Sequence, residues 1–543
     1  MKTFVTDNLT ITLVRSIVIR ASSKKKENNL TIKDIFSHAI KCFQERTSVV
    51  CGEHCMSYEE TGRRVHGLSK FLAHLQISSG DRVSILDFNS MEYLETYFAA
   101  SVVGAVLNPL NYRLSVEELC YIISDAGSRV LIVNSHFNEN VNQLLKKVNS
   151  IERVIWIGEE PEIETSVDCY SYDDAVKFSG SEINVDVKPE DYVHLYYTSG
   201  TTGKPKGVIL THRNVCQHAL GAITELKLTN ADRWGHIAPM FHLADAWAVF
   251  AITQVGGQHV IQPQFDAEAT LNLIETSDIT ISNLIPTMLN LMVKHPEVTK
   301  HDYSSLRVIL SGGAPIAPAV VRSIMEIFKC DYIQTYGMTE TSPYLTFSIL
   351  KDHLKNLSPE KQFHYKAKTG KPFITVELQV VRVDGSHIET DDKEVGEIIV
   401  KGETVTPGYW NLPNETDEAF QNGWLKTGDL ATMDSEGYVN IVDRLKDMII
   451  CGGENIYCVE VENVLYQHPD VLEAAVFGKP DELWGEIVAA AVVLKPGSEI
   501  CRCELVGFCR EHLTGFKTPR AITFLDELPK TGSGKIYKKG LKS

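Results

Sequence analysis

The sequence lacks an apolar run long enough to span a membrane. No window of its 543 residues reaches the roughly 18 uninterrupted apolar residues of a spanning helix. The nearest candidates, residues 97–110 and 484–494, are better interpreted as buried elements of a globular fold. With 43% apolar and 23% charged residues, the composition also excludes a wholly disordered or a collagen-like chain.

The chain also lacks an excess of positive charge. It has 53 Lys and Arg residues against 70 Asp and Glu residues, a formal net charge of -17. General binding to the phosphates of nucleic acid is therefore disfavoured, although a local basic pocket is not excluded.

The twelve cysteines lack the C-x-x-C pairs of a zinc site or a redox site. Only Cys51 and Cys55, and Cys501 and Cys503, are close neighbours in the sequence. We expect reduced, mostly buried thiols and no disulfide framework.

The N-terminal leader, residues 1–30, contains Arg15, Arg20 and three consecutive lysines at 24–26, with few acidic residues. The two arginines interrupt any apolar segment of a secretory signal, so the leader is typical of a frayed, disordered terminus. We expect a cytoplasmic protein; import into an organelle through this leader is the alternative.

Segments typical of strands and helices alternate through most of the chain. Residues 82–86 and 130–133 are short apolar runs rich in β-branched residues, and residues 91–105 and 116–126 have helical length and spacing. The alternation returns over residues 259–293. This pattern predicts an α/β fold with parallel sheets and crossover helices.

The C-terminal part has a different pattern. Residues 375–382 and 397–401 alternate with period two, as a small β-barrel would. Mixed strands and helices follow Arg444 in fewer than 100 residues. We therefore expect a large α/β body followed by a small C-terminal domain.

Residues 196–207 read Tyr-Tyr-Thr-Ser-Gly-Thr-Thr-Gly-Lys-Pro-Lys-Gly and lie between two strand-like runs. The glycines let backbone N–H groups approach an anion, while the hydroxyls and lysines add donors and positive charge. This composition suits a polyphosphate. It is not a Walker A loop, because only two residues separate Gly200 from Gly203 and Pro205 follows Lys204.

Residues 336–340 combine groups that suit a nucleoside triphosphate. Tyr336 offers an aromatic face for adenine, and Gly337 permits close approach. Thr339 can hydrogen-bond a phosphate, and Glu340 is a hard oxygen ligand of the kind that Mg²⁺ prefers.

The loop at 196–207 resembles the phosphate-binding signature of the adenylate-forming superfamily, which includes acyl-CoA synthetases, luciferases and peptide-synthetase adenylation domains. The other motifs of that family occur in the same order. They are Pro-Met-Phe-His at 239–242, Ser-Gly-Gly-Ala-Pro at 311–315, Thr-Tyr-Gly-Met-Thr-Glu-Thr at 335–341, Gly-Trp-Leu-Lys-Thr-Gly-Asp at 423–429, Asp-Arg-Leu-Lys-Asp at 443–447, Gly-Gly-Glu-Asn at 452–455 and Pro-Lys-Thr-Gly-Ser-Gly-Lys at 529–535. By this ordered set the chain is identified as a member of the superfamily.

The resemblance implies an N-terminal AMP-binding domain over residues 31–443, built from two α/β subdomains and a small β-barrel. It further implies a hinge at 444–450 and a small, mobile α+β domain at 451–543. The implied partners are ATP, Mg²⁺, coenzyme A as co-substrate and a small carboxylic acid.

The resemblance also assigns residues to the nucleotide and the metal. The nucleotide-binding set is Thr198, Ser199, Gly200, Thr201, Thr202, Gly203, Lys204, Gly313, Ala314, Pro315, Tyr336, Gly337, Met338, Asp429 and Arg444. Within it, Asp429 is implied to accept hydrogen bonds from the ribose hydroxyls. Glu340 and Thr201 are implied to hold Mg²⁺.

The implied catalytic set is Thr339, Glu340, Lys446 and Lys535. Lys446 resembles the residue at which a torsion change reorients the C-terminal domain. Lys535 follows a flexible Thr-Gly-Ser-Gly loop that can deliver a cation into a cleft. A lysine that bridges the attacking carboxylate and the α-phosphate would screen their repulsion and align the attack.

Gly452, Gly453 and Glu454 resemble the segment that acyl-CoA synthetases turn towards the active site for coenzyme A. Two positions depart from the family pattern. Cys458 stands where many relatives have proline, and Ile450 stands where luciferase-like and coumarate-ligase-like members commonly have lysine. The second departure disfavours the luciferase and aryl branches.

His242, Met240 and Gly312 are the residues implied beside the head of the acid, within an apolar stretch at 237–247. No basic residue is clearly placed to bind a second carboxylate, which disfavours a dicarboxylic acid. The sequence therefore predicts a fatty-acid–CoA ligase. The alternatives are an aryl or cinnamate-type CoA ligase, an adenylation domain for a carrier protein, and a non-catalytic acyl- or nucleotide-binding protein.

Overall fold

The computed structural model describes residues 30–162, 165–198, 204–313, 318–530 and 536–542. Apart from its last residue, the predicted leader lies outside this part of the chain. The helices of the described part are α1 Ile32–Cys42, α2 Tyr58–His74, α3 Met91–Val103, α4 Val116–Ala126, α5 Asn138–Leu145, α6 Tyr172–Ala175, α7 His212–Leu226, α8 Leu243–Val255, α9 Ala267–Thr276, α10 Pro286–Val293, α11 Pro318–Phe328, α12 Pro359–Ala367, α13 Pro413–Ala419, α14 Cys458–Gln467 and α15 Arg502–His512.

The strands form two large and two small sheets. They are β1 Thr47–Cys51, β2 His54–Ser57, β3 Arg82–Leu86, β4 Val106–Pro109, β5 Val130–Asn134, β6 Arg153–Ile157, β7 Asp168–Ser171, β8 Tyr192–Thr198, β9 Lys206–Thr211, β10 Arg233–His236, β11 Gln258–Ile261, β12 Ile281–Asn283, β13 Val308–Ser311, β14 Asp331–Gly337, β15 Tyr344–Phe347, β16 Lys371–Pro372, β17 Val376–Val381, β18 Gly396–Gly402, β19 Phe420–Gln421, β20 Trp424–Met433, β21 Val439–Arg444, β22 Ile449–Cys451, β23 Glu454–Ile456, β24 Val471–Asp481, β25 Gly485–Leu494 and β26 Ala521–Phe524.

The two large sheets are mostly parallel. The seven-stranded sheet has the order β7-β6-β5-β3-β4-β8-β9, and only β9 is antiparallel to its neighbour. The nine-stranded sheet has the order β16-β15-β14-β13-β12-β10-β11-β1-β2, with antiparallel strands only at its two edges. The predicted crossover architecture is confirmed.

Helices α3 and α8 are buried along nearly their whole length and belong to the largest apolar cluster, to which both large sheets contribute. A helix that is apolar on all sides is stable only when it is covered on all sides. Ser90 caps the start of α3, and Gly104 ends it in a left-handed conformation with φ of 74°. The helix therefore stops two residues before the predicted end at residue 105.

The two small sheets follow in the C-terminal part. Strands β17, β18, β20 and β19 form an antiparallel sheet, with β21 paired to β20. The last sheet, β23-β22-β25-β24 with β26 beside β25, packs with α14 and α15 around a separate apolar core. The predicted fold class, a large α/β body with a barrel-like sheet and a small α+β C-terminal domain, is confirmed.

The expectation of reduced thiols is wrong for one pair. Cys501 and Cys503 form a disulfide at the start of α15, where their Cα atoms are 5.4 Å apart, within the range that a disulfide spans. The other ten cysteines are free thiols, and half of them are buried. Within the described residues, no cluster of three or more metal-ligating side chains occurs, and no helix has the length and apolarity to cross a membrane.

Candidate active site

The predicted motifs follow the ends of parallel strands. Thr198 is the last residue of β8, Gly312 follows β13, and Gly337 ends β14. Met240 and His242 lie in the connection from β10 to α8. Strands β10, β13 and β14 belong to the nine-stranded sheet, so the segments that follow them share one edge of that sheet, the usual ligand position in open α/β sheets. Thr198 ends a strand of the other large sheet.

Strands β8 and β9 flank the glycine-rich loop as an antiparallel pair, in which Thr198 is opposite Lys206. Residues 199–203 of this motif, Ser199, Gly200, Thr201, Thr202 and Gly203, lie outside the described residues. The Lys204 ammonium lies 5.5 Å from the centre of the Tyr121 ring, and the Lys206 ammonium lies 5.2 Å from that of Tyr409. Two aromatic faces thus hold positive charge beside the loop.

Residues 404–410 cover the open edge of β9, and no sequence motif signals this. The Ile209 amide donates to the Gly408 carbonyl at 3.1 Å, and the Trp410 amide donates to the Gly207 carbonyl at 2.7 Å. This pairing brings the Tyr409 hydroxyl within 2.9 Å of the Glu340 carboxylate, to which it donates. Tyr409 is therefore a site residue that sequence reasoning missed.

Glu340 lies in the short 3-10 helix Thr339–Thr341 and is buried, with Thr339 partly exposed beside it. Its carbonyl accepts a hydrogen bond from the Thr406 amide at 2.8 Å. Burial and the charge of Glu340 raise the pKa of Tyr409, so the tyrosine remains a neutral donor. A single buried carboxylate of this kind fits Mg²⁺, which takes one or two protein carboxylates and completes its shell with phosphate oxygens and water.

Tyr336, near the end of β14, meets Asp429 and Arg444. Antiparallel pairing of β20 and β21 sets Asp429 directly opposite Arg444, whose Nε lies 3.2 Å from Asp429 Oδ1. The Tyr336 hydroxyl donates to Asp429 Oδ2 at 2.6 Å, and burial together with the charge of Asp429 raises the pKa of Tyr336. The structure therefore adds a partner of Asp429 that the sequence did not predict.

Packing within the protein itself requires glycine at two of the motif positions, because a side chain there would clash with neighbouring atoms. A Cβ atom on Gly337 would lie 1.9 Å from the Pro343 carbonyl oxygen, and one on Gly312 would lie 2.2 Å from Thr335 Oγ1. Gly313 has φ of 84°, which favours glycine. Met338 is half-buried beside Gly337. Ala314 and Pro315 lie outside the described residues.

His242 is the N-cap residue of α8 and is partly exposed, whereas Met240 is fully buried. Behind this segment the carboxylate of Asp245 binds His236 Nδ1 at 2.6 Å, and His236 Nε2 binds His259 Nδ1 at 2.9 Å. Burial holds the pKa of His259 well below its usual range, so this ring is neutral. The polar chain stabilises the start of α8, next to the predicted acid-side segment, residues 240–242.

A cavity of about 290 Å³ lies next to the acid-side segment, with Phe265, Met288 and Leu291 among its apolar walls. Arg113 and Lys530 supply positive charge to the same cavity. The Arg113 guanidinium also lies 5.9 Å from the centre of the Phe241 ring. Arg113 is therefore a basic residue close to the acid-side segment, and no sequence motif signals this position. Arg113 is about 130 residues away in the sequence and belongs to the loop after β4.

Lys446 lies in an exposed turn in which the Asp447 and Met448 amides both donate to the Arg444 carbonyl. Beyond it, Gly452 and Gly453 form the two-residue turn between β22 and β23, with φ of 62° and 88°. Both angles are positive, as this hairpin turn requires.

The remaining residues of this region flank the hairpin. Glu454 pairs with Cys451 across it, and Ile450 is half-exposed beside it. Cys458 begins α14, and its amide donates to Asp443 Oδ2 at 2.6 Å. The cysteine at the usual proline position therefore supplies an N–H bond that proline could not make.

The catalytic lysine expected at the C-terminus, Lys535, lies outside the described residues. Lys530 and Ile536, on either side of its loop, pair as an antiparallel bridge, so the two ends of segment 531–535 are adjacent. Lys530 also lines the cavity described above.

Comparison with known proteins identifies relatives over nearly the whole chain. The family model of the AMP-binding enzymes matches residues 36–410, and that of the AMP-binding enzyme C-terminal domain matches residues 460–535. A feruloyl-CoA synthase from an Amycolatopsis species is 38% identical, with 91% of this chain and 94% of that protein covered. The long-chain-fatty-acid–CoA ligase FadD13 of Mycobacterium tuberculosis is 34% identical, with 89% and 92% covered.

Among solved structures, the o-succinylbenzoate CoA synthetase (MenE) from Bacillus subtilis, in complex with its acyl-adenylate intermediate, matches with a TM-score of 0.82 and 30% identity. The match covers 95% of this chain and 99% of that chain. Another structure of the same enzyme contains ATP and a magnesium ion.

The first prediction concerns the buried carboxylate of Glu340. In Glu340→Gln the amide oxygen can still accept from Tyr409, but the charge that suits Mg²⁺ is lost. By analogy with removal of a transition-state contact, we expect Mg²⁺-dependent pyrophosphate exchange to fall by at least about 100-fold. The measurement is exchange rate against Mg²⁺ concentration, with a thermal melt as the folding control.

Tyr409→Phe is the matched comparison, because it removes the hydroxyl that donates to Glu340 and keeps the negative charge of the Glu340 carboxylate. It should lose much less activity than Glu340→Gln. Near-normal exchange in Glu340→Gln would show that this carboxylate has no metal role.

Proposed function

The chain belongs to the family of AMP-binding enzymes, and we propose that it is an ATP- and Mg²⁺-dependent ligase that joins a fatty acid to coenzyme A. The observation that carries this proposal is a pair of carboxylate centres near the end of β14, Glu340 with Tyr409 and Asp429 with Tyr336 and Arg444. One suits a metal–phosphate group and the other suits a ribose.

In the first half reaction, a carboxylate oxygen of the acid attacks the α-phosphorus of ATP and pyrophosphate leaves. Both reactants are anionic, so the step needs local positive charge. Mg²⁺, when bound at Glu340, neutralises charge on the phosphates. Lys204 and Lys206 flank the phosphate loop, Arg444 serves the nucleotide, and Lys535 is proposed to bridge the carboxylate and the α-phosphate.

In the second half reaction, the thiol sulfur of coenzyme A attacks the acyl carbon, AMP leaves and the thiol proton is lost. We propose that the C-terminal domain turns about Lys446, within the hinge at 444–450, between the two steps. The Gly452–Gly453 turn then faces the cleft. Its glycines have no side chains, so a narrow pantetheine chain can pass close to the backbone.

Among the described residues, one hydrogen bond joins the segment before the proposed hinge to the segment after it. Asp443 precedes the hinge and Cys458 follows it, yet the Asp443 carboxylate accepts from the Cys458 amide. A carboxylate at a helix N-terminus is favourable. The proposed rotation separates the two groups, so this bond exists in only one of the two orientations. In the other orientation the Asp443 carboxylate needs a different hydrogen-bond donor.

A fatty acid is the first candidate substrate because of the apolar walls at Phe265, Met288 and Leu291 and because Ile450 replaces the lysine common in the aryl branch. A hydroxycinnamate is the second candidate, and the specific observation in its favour is the 38% identity to a feruloyl-CoA synthase. Arg113 and Lys530 beside the cavity would suit an acid with polar substituents.

The second prediction tests the substrate class with a panel of acids. We expect AMP release with coenzyme A to have a higher kcat/KM for aliphatic acids of two to eighteen carbons than for benzoate, coumarate or ferulate. Each methylene that enters or leaves an apolar pocket discriminates by about 1–3 kcal/mol, so kcat/KM should depend on chain length. A clear preference for ferulate would establish the second candidate, and absence of ATP cleavage with every acid would contradict the proposal as a whole.

The third prediction separates the half reactions at Lys535. Lys535→Ala should reduce acid-dependent pyrophosphate exchange by about 10² to 10³-fold, the loss typical of one transition-state donor. Supplied with synthetic acyl-AMP and coenzyme A, the same variant should form thioester at close to the wild-type rate, because AMP is already a good leaving group.

Lys539→Ala is the matched control, since it removes an exposed lysine four residues away. It should leave both half reactions intact. If both half reactions collapse together in a folded Lys535→Ala variant, the proposed division of labour is mistaken.

The fourth prediction concerns the hinge. Proline at position 446 fixes φ near about -65° and blocks the torsion change that the rotation needs. Lys446→Pro should therefore retain one half reaction and lose most of the other. Lys446→Ala removes the side chain without restricting φ, and it should keep the ratio of the two rates near that of the wild type. Equal loss of both rates in Lys446→Pro would argue against a hinge here.

A further inference from the structure

Two side chains from the segment that follows β3, Asn89 in the loop and Tyr97 in α3, bind the peptide groups of Met240. The Met240 amide donates to Asn89 Oδ1 at 2.7 Å, and the Tyr97 hydroxyl donates to the Met240 carbonyl at 2.8 Å. All three residues are at most 4% exposed. Hydrogen bonds at such depth are costly to break, because the freed groups cannot turn to water.

Asn89 also joins the two large sheets. Its side-chain amide donates to the carbonyls of His236, Ala238 and Gln262 at 3.0–3.1 Å, and its backbone amide donates to the Pro263 carbonyl. The two amide hydrogens serve three acceptors, so one of them is shared. The loop after β3 is thereby bound to the loops after β10 and β11.

Tyr97 extends this contact to the phosphate-binding strand. Its hydroxyl lies 2.9 Å from the Tyr196 hydroxyl. Tyr97 has one hydroxyl proton and donates it to Met240, so Tyr196 must donate to Tyr97. Tyr196 lies on β8, two residues before Thr198. A continuous chain of hydrogen bonds therefore connects the strand that leads into the glycine-rich loop with the segment that leads to His242.

We propose that Asn89, Tyr97 and Tyr196 are positioning residues for acid activation. They hold the acid-side segment at 240–242 in register with the phosphate-binding strand and act only through the main chain of Met240. The inference rests on the proposed function, in which the acid carboxylate and the α-phosphate must meet in line. Reacting atoms need a separation of about 3–3.5 Å, and a shift of about 1 Å far from the chemistry can cost about 100-fold in rate.

The chain offers a matched control one turn earlier on the same helix. Tyr93 is also fully buried in α3, but among the described residues its hydroxyl has no hydrogen-bond partner. Tyr93→Phe, Tyr97→Phe and Tyr196→Phe each remove one buried oxygen. The Tyr97 oxygen binds Met240 directly, and the Tyr196 oxygen acts on Met240 through Tyr97. The Tyr93 oxygen binds neither of them.

The fifth prediction is a graded series. Acid-dependent pyrophosphate exchange should fall by about 10- to 100-fold in kcat for Tyr97→Phe, by less for Tyr196→Phe and not at all for Tyr93→Phe. The affinity for ATP, measured by calorimetry without acid, should stay within about twofold in all three, because Asp429 and Arg444 are untouched.

Thermal melts separate positioning from stability. If Tyr97→Phe matches Tyr93→Phe in kcat, or if its loss of exchange is matched by an equal loss of ATP affinity and a lower melting temperature, the inference is wrong. Tyr196→Phe provides the same comparison should Tyr97→Phe fail to fold. A wild-type protein that cleaves ATP with none of the acids would overturn the proposed function and this inference together, whereas an active wild type with an ungraded series overturns the inference alone.

Discussion

The burial of α3 and α8 between the two large sheets is the constraint on which the site depends. Both helices are covered along nearly their whole length, so each sheet must contribute one face of a shared apolar core. The carboxyl ends of β3 and β10 then meet closely enough for Asn89 to bind the main chain at His236 and Ala238. Strand β8 and the segment between β10 and α8 belong to separate sheets, and hydrogen bonds through Tyr97 link them.

The proposed site contains positively charged side chains, although the chain as a whole has a net negative charge. The proposed binding of a polyphosphate by a protein with a net charge of -17 requires local cations, and Lys204, Lys206 and Arg444 lie at the proposed site. The two buried carboxylates, Glu340 and Asp429, each accept a hydrogen bond from a tyrosine hydroxyl. A neutral donor stabilises a carboxylate without cancelling its charge, which leaves that charge available to a metal or a ligand.

The C-terminal domain has an apolar core of its own. Its apolar cluster involves β22 to β26 and the helices α14 and α15. The bond from the Cys458 amide to Asp443 crosses residues 444–450, and burial raises the pKa of that aspartate. Reorientation without unfolding requires this separation of cores, because a rigid unit can turn only if its own packing does not depend on its neighbour.

Local sequence signals were sufficient for elements with clear caps. Helix α4 begins and ends where the sequence predicts, with Ser115 and Gly127 as its caps. Tyr409, which reaches Glu340 across 69 residues, and Arg113, which lies over Phe241, have no local signal. The sequence by itself determined the fold class and the kinds of chemistry that the motif residues can perform. Only the tertiary structure decided which partners each carboxylate and peptide group has, because a hydrogen bond depends on positions within a few tenths of an ångström that distant segments set together.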